Sequence, residues 1–226
     1  MVEHHSAAQT VRYSHPVVLL GALYASFGSL VQNPPLMLLQ LLPVTIAVQI
    51  AHVATCLGSS SSNNGKVSKE GGKKKPGRPA ATKGKAELGA NVLSALLSLV
   101  LAAVMGTPVM FTVMVLLGAP ITTHLAHTAL CAAHLSILAG MPLIYSYDVQ
   151  GAKWRDIFSL KMPVDEEYGG ALGACLGAWL GAVPIPLDWD REWQKWPVTI
   201  IAGMYAGYAV GRLGGLALAG RVARFN

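Results

Sequence analysis

The sequence predicts an all-helical, polytopic integral membrane protein with about six transmembrane helices and both termini in the cytosol. Of its 226 residues, 53% are hydrophobic, and the mean hydropathy is +0.46. Only 12% are charged, against about 25% in an average soluble domain. The apolar residues form long blocks, which excludes a soluble globular fold and favours one membrane domain over residues 1–226. The three cysteines lie inside these blocks and predict no disulfide framework: Cys56, Cys131 and Cys175.

Six apolar blocks approach the length of a membrane helix, which needs roughly 20 residues to cross a hydrocarbon core about 30 Å thick. In chain order they cover residues 15–31, 36–57, 88–119, 120–143, 168–185 and 197–220. The turn-forming string QNPP separates the first two, and the third must tilt, kink at Pro108 or overhang the membrane. The first block could be a secretory signal, since ALYAS at 22–26 resembles a cleavage site. We favour an uncleaved anchor, because the apolar run continues past that site.

A polar segment rich in Ser, Gly, Asn and Lys covers residues 58–87, and we expect a disordered cytosolic loop there. Its string KKKPGRP could bind anionic lipid or nucleic acid. A solvated determinant of topology is the simpler interpretation, and no nucleic-acid partner is expected. With six spans, fifteen of the 17 basic residues lie on one side, and only Arg191 and Lys195 lie on the other. Basic loops stay cytosolic, so both termini are predicted to be cytosolic and the short loop 186–196 luminal.

Glycine recurs every fourth residue in the last two blocks. In a membrane, small residues at this spacing let helix backbones approach closely, so both series predict helix packing. The sequence leaves open whether the two series face each other or face another subunit. The glycines that we expect to contact a partner or lipid are Gly173, Gly177, Gly181, Gly203, Gly207 and Gly211.

Histidines mark one side of the fourth block. At about 100° per residue, His124, His127 and His134 share one side of a helix, and His52 lies in the second block. A polar side within a membrane predicts a functional site. A metal cluster is one option, but no HExxH motif or carboxylate-bearing histidine box accompanies these residues. We favour neutral imidazoles that hydrogen-bond across helices or to a lipid headgroup, and we expect no metal and no other cofactor.

The loop 186–196 holds three tryptophans within eight residues. If it coils as a short helix, Trp189, Trp193 and Trp196 form a strip on one face that suits the headgroup layer. Asp188 and Asp190 form a D-x-D pair that could hold a divalent cation. Capping of nearby helix ends and pairing with neighbouring basic residues is the more ordinary role. We therefore expect all five residues to contact a partner or lipid.

The segment 168–211, above all PIPLDWDREWQKWP, closely resembles the signature of the PIG-F family of glycosylphosphatidylinositol (GPI) anchor biosynthesis proteins, fungal members included. The preceding string YSYDVQGAKWRDIFS is compatible with it. This resemblance covers about the last third of the chain, and the amino-terminal half matches the family in hydropathy and length more than in motif. We identify no counterpart of the Lys-rich segment in the family, and its role stays open.

The resemblance implies a non-catalytic, multi-pass subunit of the endoplasmic reticulum membrane. Its partners would be membrane phospholipid and large multi-span ethanolamine phosphate transferases, which it would bind and stabilise while they add phosphoethanolamine to mannoses of the GPI precursor. In a second interpretation the chain itself is a lipid-phosphoethanolamine transferase that uses Asp188, Asp190 and the membrane histidines. A third interpretation is a lipid transporter or flippase, although the sequence shows neither an inverted repeat nor a charged residue at mid-membrane.

Overall fold

The computed structural model describes residues 2–57, 80–187 and 189–218. The secondary-structure elements of these residues are all helical. The α-helices are α1 (Val2–Gln32), α2 (Pro34–His52), α3 (Ala80–Leu101), α4 (Thr107–Leu116), α5 (Leu125–Leu135), α6 (Met141–Tyr147), α7 (Gly151–Phe158), α8 (Glu166–Ala182) and α9 (Val198–Leu218). Three π-helical turns extend or connect these helices. Val53–Leu57 continues α2, Ala102–Gly106 joins α3 to α4, and Ser136–Gly140 joins α5 to α6. A single 3₁₀ turn, Glu192–Gln194, lies between α8 and α9.

Among the residues that the structure describes, four stretches are long and apolar enough to cross a membrane. They are Thr10–Gln32, Pro34–Leu57, Leu88–Leu116 and Leu125–Tyr147, and they correspond to the first four predicted blocks. The fourth begins later than predicted, because a turn that contains Gly118 at φ 101° separates it from the third. The all-helical membrane fold is therefore confirmed, with four candidate spans.

The last two predicted blocks form helices that are less apolar or shorter than these four. Helix α8 has 17 residues, and α9 has 21 residues that include four glycines in register, two buried tyrosines and Arg212. Polar and small residues lower the hydropathy of α9, although its side chains are among the most buried of the molecule.

The predicted loop 58–87 lies mostly outside the described residues. Only its last eight residues belong to them, and these are helical because α3 begins at Ala80.

Local sequence explains where several helices begin. Asn33 caps α2, since its side chain accepts a hydrogen bond from the Leu36 amide at 3.4 Å, and two prolines follow at the first helical positions. Asp165 caps α8 by accepting from the Tyr168 amide at 2.8 Å. Both caps satisfy amides that have no partner within the helix.

Two of the π-turns share a sequence pattern. The turns that end at Gly106 and Gly140 are each followed, two residues later, by a proline, Pro108 or Pro142. Proline offers no N–H to the carbonyl four residues earlier, so the α-helical register is interrupted just before it. The predicted kink near Pro108 thus takes the form of a π-turn.

The core of the bundle lies around α8 and α9. These two helices pack against each other, against α1 and α2, and against the continuous helix formed by α5, its π-turn and α6. Helices α3 and α4 lie at the edge, where only 6% of the most apolar window is buried inside the chain. This arrangement leaves one long apolar helix surface available to lipid.

Candidate functional site

The two glycine series form one seam between α8 and α9. A Cβ atom added at any seam position would come within 3.0 Å of backbone atoms of the opposite helix. Gly173 faces Gly207 and Gly211, and Gly177 faces Gly203 and Gly207. The other seam glycines are Gly169, Gly181 and Gly215. The structure therefore decides what the sequence left open: the glycines that we expected at a partner or lipid surface contact each other within this chain.

Such close backbone approach has a physical basis. Carbonyl oxygens of one helix lie against Cα atoms of the other, which is the geometry of weak Cα–H···O contacts and of dense dispersion packing. The seam fixes α8 and α9 as a unit, and it positions the charged side chains that both helices carry at one end.

At that end six charged or ionisable side chains form a group that we call the charged cluster, and all of them except the partly exposed Arg12 are buried: Arg12, His15, His52, Glu166, Glu167 and Arg212. They come from four helices, α1, α2, α8 and α9. Arg212 is at the centre, with 1% of its surface exposed.

Arg212 makes most of the contacts within the charged cluster. Its guanidinium donates to Glu166 and lies 3.6 Å from Glu167 Oε1. Its Nη1 atom lies 3.1 Å from both His15 Nδ1 and the Tyr208 hydroxyl. Because a buried guanidinium without partners is very costly, these contacts are what permits an arginine at this position.

The remaining members extend the charged cluster to α1 and α2. Glu166 accepts a second ion pair from Arg12 of α1. His52 Nε2 lies 3.1 Å from Glu167 Oε1, and the rings of His15 and His52 have centroids 4.5 Å apart. The two arginines and the two glutamates of the charged cluster balance each other in formal charge.

By donor type, part of the charged cluster could hold a metal ion, since ligand atoms of His52, Glu166 and Glu167 lie within 4.8 Å of one another. Both carboxylates already face the guanidinium of Arg212. A divalent cation would be repelled by that charge, so the arrangement favours ion pairing over metal binding.

A polar stripe continues from the charged cluster along the contact between α2 and α9. Tyr208 bonds with the Gln49 side chain at 3.2 Å, and the Tyr205 hydroxyl lies 2.6 Å from Thr45 Oγ1. The stripe residues Thr45, Gln49 and His52 are spaced by four and three residues, as a single helix face requires. Every one of these side chains is buried, so the stripe joins helices and does not face lipid.

The three histidines of the fourth block separate in the structure. His134 is fully buried and lies across the bundle, with Nε2 3.0 Å from the Leu38 carbonyl and Nδ1 2.8 Å from the Tyr205 hydroxyl. A carbonyl only accepts, so Nε2 of His134 carries a proton and donates to Leu38. His124 and His127 lie about two to three turns away, at the start of α5, in edge contact with ring centroids 4.9 Å apart.

The tryptophan loop does not form the single helical face that the spacing suggested. Only Glu192–Gln194 is helical. Trp189 and Trp193 have ring centroids 5.9 Å apart, whereas Trp196 turns towards α5 and donates to Thr128 Oγ1 at 3.1 Å. Trp189 is 53% exposed. Asp190 is exposed, and Asp188 lies outside the described residues, so the D-x-D pair cannot be built as a site.

Gln194 organises this loop, a role that no pattern in the sequence indicated. Its amide nitrogen donates to the carbonyls of Pro184 and Leu187 at 2.7 and 2.8 Å, and its Oε1 accepts from the Arg191 amide at 2.9 Å. The buried side chain replaces the backbone partners that an irregular loop lacks.

The charged cluster was not predicted from the sequence, which assigned Arg12 and Arg212 to one side of the membrane without a partner. A signal was present: Arg212 interrupts an apolar block, and Glu166 and Glu167 directly precede another. Their pairing joins residues 46 positions apart, so only the tertiary structure reveals it.

Comparison with known proteins gives a consistent result. The model of the GPI biosynthesis protein family Pig-F matches residues 14–216. The chain is 45% identical over 214 residues to glycosylphosphatidylinositol anchor biosynthesis protein 11 of Neurospora crassa, which covers 92% of this chain and 75% of that protein. It is 42% identical over 230 residues to the protein of the same description in Aspergillus fumigatus, covering 90% and 77%.

A shorter match links the chain to a larger protein. It is 38% identical over 99 residues to a PIGF/3-ketodihydrosphingosine reductase fusion protein of Schizosaccharomyces pombe, covering 43% of this chain and 20% of that protein. No solved structure matches the chain.

Proposed function

The chain belongs to the PIG-F family of GPI biosynthesis proteins, and from this membership we propose that it is a non-catalytic subunit that binds and stabilises GPI ethanolamine phosphate transferases in the endoplasmic reticulum membrane. In that role it supports the addition of phosphoethanolamine to mannoses of the GPI precursor. A role in GPI anchor biosynthesis is common to the family and to the relatives that cover most of the chain.

The observation that carries the non-catalytic part of the proposal is the use of the buried polar groups. The charged cluster and the stripe between α2 and α9 connect helices within the chain through ion pairs and hydrogen bonds. Catalytic acids and nucleophiles need access to a substrate, whereas these groups, apart from the partly exposed Arg12, are buried in the bundle. Their arrangement suits a rigid membrane scaffold.

We further propose that α8 and α9 also cross the membrane, which makes six spans. Helix α9 is about 32 Å long and α8 about 26 Å, close to the thickness of a hydrocarbon core. The seam holds them side by side over their length. With six spans, the distribution of basic residues favours a topology with both termini and the charged cluster on the cytosolic side and the tryptophan loop on the luminal side.

For the partner contact we propose the luminal loop, because it holds the most exposed tryptophan of that end, Trp189, beside Trp193. Large exposed aromatic side chains are typical centres of protein interfaces. Asp190 and the histidine pair of α5 lie at the same end of the bundle and complete the proposed surface, and the glycine seam supports it from within.

The proposal is tested by purification of the tagged full-length chain in mild detergent, followed by mass spectrometry. The double variant Trp189→Ala, Trp193→Ala should recover roughly tenfold less transferase than the unchanged chain. Trp179→Ala is the matched control, since this side chain is 62% exposed but lies within α8 and outside the luminal loop. Equal recovery of transferase with all three chains would show that the luminal loop is not part of the interface.

The purified chain should also transfer no phosphoethanolamine by itself. Transfer by a preparation free of any transferase would overturn the proposed scaffold role and favour the second interpretation, in which this chain is the enzyme.

A further inference from the structure

Helix α7 lies just beyond the end of a candidate membrane span. The fourth span ends at Tyr147 and α7 begins at Gly151, so α7 stays within a few residues of the membrane boundary. The backbone is left-handed at Asp148 before α7 and at Leu160 after it, with φ 54° and 56°. The chain therefore turns sharply at both ends, and α7 does not continue α6.

One side of α7 is attached to the bundle. Ile157 is buried, and its carbonyl accepts a hydrogen bond from the Tyr168 hydroxyl of α8 at 2.8 Å. Trp154 packs partly against the core, and its indole donates to the Asp148 carbonyl at 2.8 Å. Contacts within the chain thus fix both the position and the rotation of α7.

Large apolar side chains stay exposed beside this attached side. Phe158 is 77% exposed, and its ring centroid lies 5.9 Å from that of Trp154. Val149 and Leu160 flank α7 and are 74% and 44% exposed. Contact of these side chains with water is unfavourable, whereas the boundary between lipid headgroups and acyl chains accommodates them.

Leu160 is a leucine at a position that favours glycine. The amides of Leu160 and Lys161 bond to the carbonyls of Ile157 and Asp156 at 3.2 and 2.9 Å, which is the pattern of a Schellman motif. Glycine adopts the left-handed conformation of that motif without the steric cost of a Cβ. Because the leucine side chain is largely exposed, a contact outside the chain explains it better than packing within the fold does.

The charged residues of α7 are separated around the helix axis. Arg155 precedes Phe158 by three residues and lies about 60° from it, whereas Asp156 lies about 160° away. Lys161 follows the helix, and all three charged side chains are exposed. Long basic side chains can reach phosphate groups while an adjacent aromatic ring lies deeper, and the carboxylate of Asp156 is on the opposite side.

We propose that α7, together with Val149 and Leu160, is an interfacial helix that docks on the headgroup layer of a phospholipid leaflet. Phe158 and the two flanking side chains enter the acyl-chain boundary, and Arg155 and Lys161 bind lipid phosphate groups. A lipid surface is the occupant, because the segment combines exposed apolar and basic side chains next to the end of a span. This inference does not depend on the proposed transferase role.

The direct test measures depth in the membrane. A full-length chain without its own cysteines carries a nitroxide label at Val149→Cys, Phe158→Cys or Asp156→Cys and is reconstituted in vesicles of phosphatidylcholine and phosphatidylserine. Relaxation by oxygen and by a water-soluble nickel chelate should place the labels at positions 149 and 158 about 5–10 Å below the headgroup boundary, and the label at position 156 in water.

Two outcomes of the depth measurement would overturn the proposal. Equal access of the nickel chelate to all three labels would show that α7 lies in water. Protection of the label at position 158 from both oxygen and nickel would show that a second copy of the chain covers this side of the helix.

Leu160→Gly separates lipid contact from folding. The substitution suits the local backbone, so the melting temperature in detergent should stay the same or rise. The label at position 158 should nevertheless move towards water, because one of the apolar side chains that hold α7 on the membrane is absent. A lower melting temperature with unchanged depth would assign Leu160 to the fold and contradict its proposed lipid contact.

The basic residues are tested by lipid retention. After extraction from the same vesicles in mild detergent, native mass spectrometry should find at least about fivefold less phosphatidylserine on the variant Arg155→Gln, Lys161→Gln than on the unchanged chain. The matched control is Arg191→Gln, Lys195→Gln, which removes the same charge from the tryptophan loop and should retain the lipid. An equal loss from both variants, or a loss from neither, would overturn the proposed phosphate contacts.

Discussion

At the scale of single residues, Arg212 determines how charge is buried in this molecule. It contacts both glutamates of α8, His15 of α1 and Tyr208 on its own helix, with 1% of its surface exposed. A buried ion pair adds little stability compared with apolar residues, but a charge that loses its partner inside the bundle is strongly destabilising. The charged cluster therefore specifies which helices come together more than it adds to stability.

This view predicts a large effect from removal of the positive charge alone. Arg212→Met should lower the free energy of unfolding by about 3–5 kcal/mol, because Glu166 and Glu167 remain buried without their cation. The measurement is unfolding in detergent followed by helical circular dichroism. Arg155→Met is the matched control, since Arg155 is exposed on α7.

The same residues permit a second check of the mechanism. When Arg212→Met is combined with Glu166→Gln and Glu167→Gln, the loss should be clearly smaller than the sum of the separate losses, because the charges are coupled. Strict additivity would show that Arg212 acts through packing rather than through charge.

At the scale of elements, the glycine seam and the π-turns determine how the helices fit. The seam requires the absence of a Cβ on both helices at each crossing. Gly106 has a similar role between α4 and the third π-turn, where an added Cβ would overlap Ser136 Oγ. The hydroxyl of Ser136 donates to the Ala102 carbonyl at 2.7 Å, which satisfies an acceptor at the π-turn.

The seam predicts a sharp difference between glycines. Gly177→Ala should lower the free energy of unfolding by about 1–3 kcal/mol or more, because the added methyl group would overlap the Gly203 carbonyl and force the two helix backbones apart. Gly21→Ala on α1 should be neutral or slightly stabilising, since no atom lies within 4 Å of the added carbon. Melting temperatures of the two variants in one detergent make the comparison.

Recovery of the transferase with the Gly177 variant links this element to function. If the seam acts by supporting the luminal loop, the loss of transferase should follow the loss of stability. A stable Gly177→Ala chain that fails to bind would place the seam at the partner surface instead.

At the scale of the whole molecule, the ends of the bundle differ in chemistry. One end holds the charged cluster, and the other holds the tryptophan loop, in which Gln194 replaces missing backbone partners. Between them, α3 and α4 present an apolar surface that the rest of the chain hardly covers. We expect lipid to cover that surface, since its residues are apolar and lack a paired polar group that would demand a protein partner.

The proposed six-span topology predicts opposite accessibility of the two ends. In a chain without its own cysteines, Ser159→Cys should react with a membrane-impermeant maleimide in sealed microsomes, because it follows α7 on the cytosolic side. Glu192→Cys should react only after permeabilisation. Both positions are exposed in the structure, so reaction of Glu192→Cys in sealed microsomes would refute the predicted sidedness.

By itself, the sequence determined the membrane environment, the helical class and the family, because hydropathy and a long specific motif are properties of contiguous residues. The blocks around α1 and α2, the caps at Asn33 and Asp165 and the interruption near Pro108 follow from neighbours in the chain.

Only the tertiary structure decided that the two glycine series face each other, that Arg212 pairs with Glu166 across 46 positions, and that His134 lies inside the bundle and apart from His124 and His127. The physical reason is that the energetic effect of a buried charge or of a missing Cβ depends on the atom opposite it. In a helix bundle that atom belongs to a distant part of the chain, and the periodicity of one helix does not identify it.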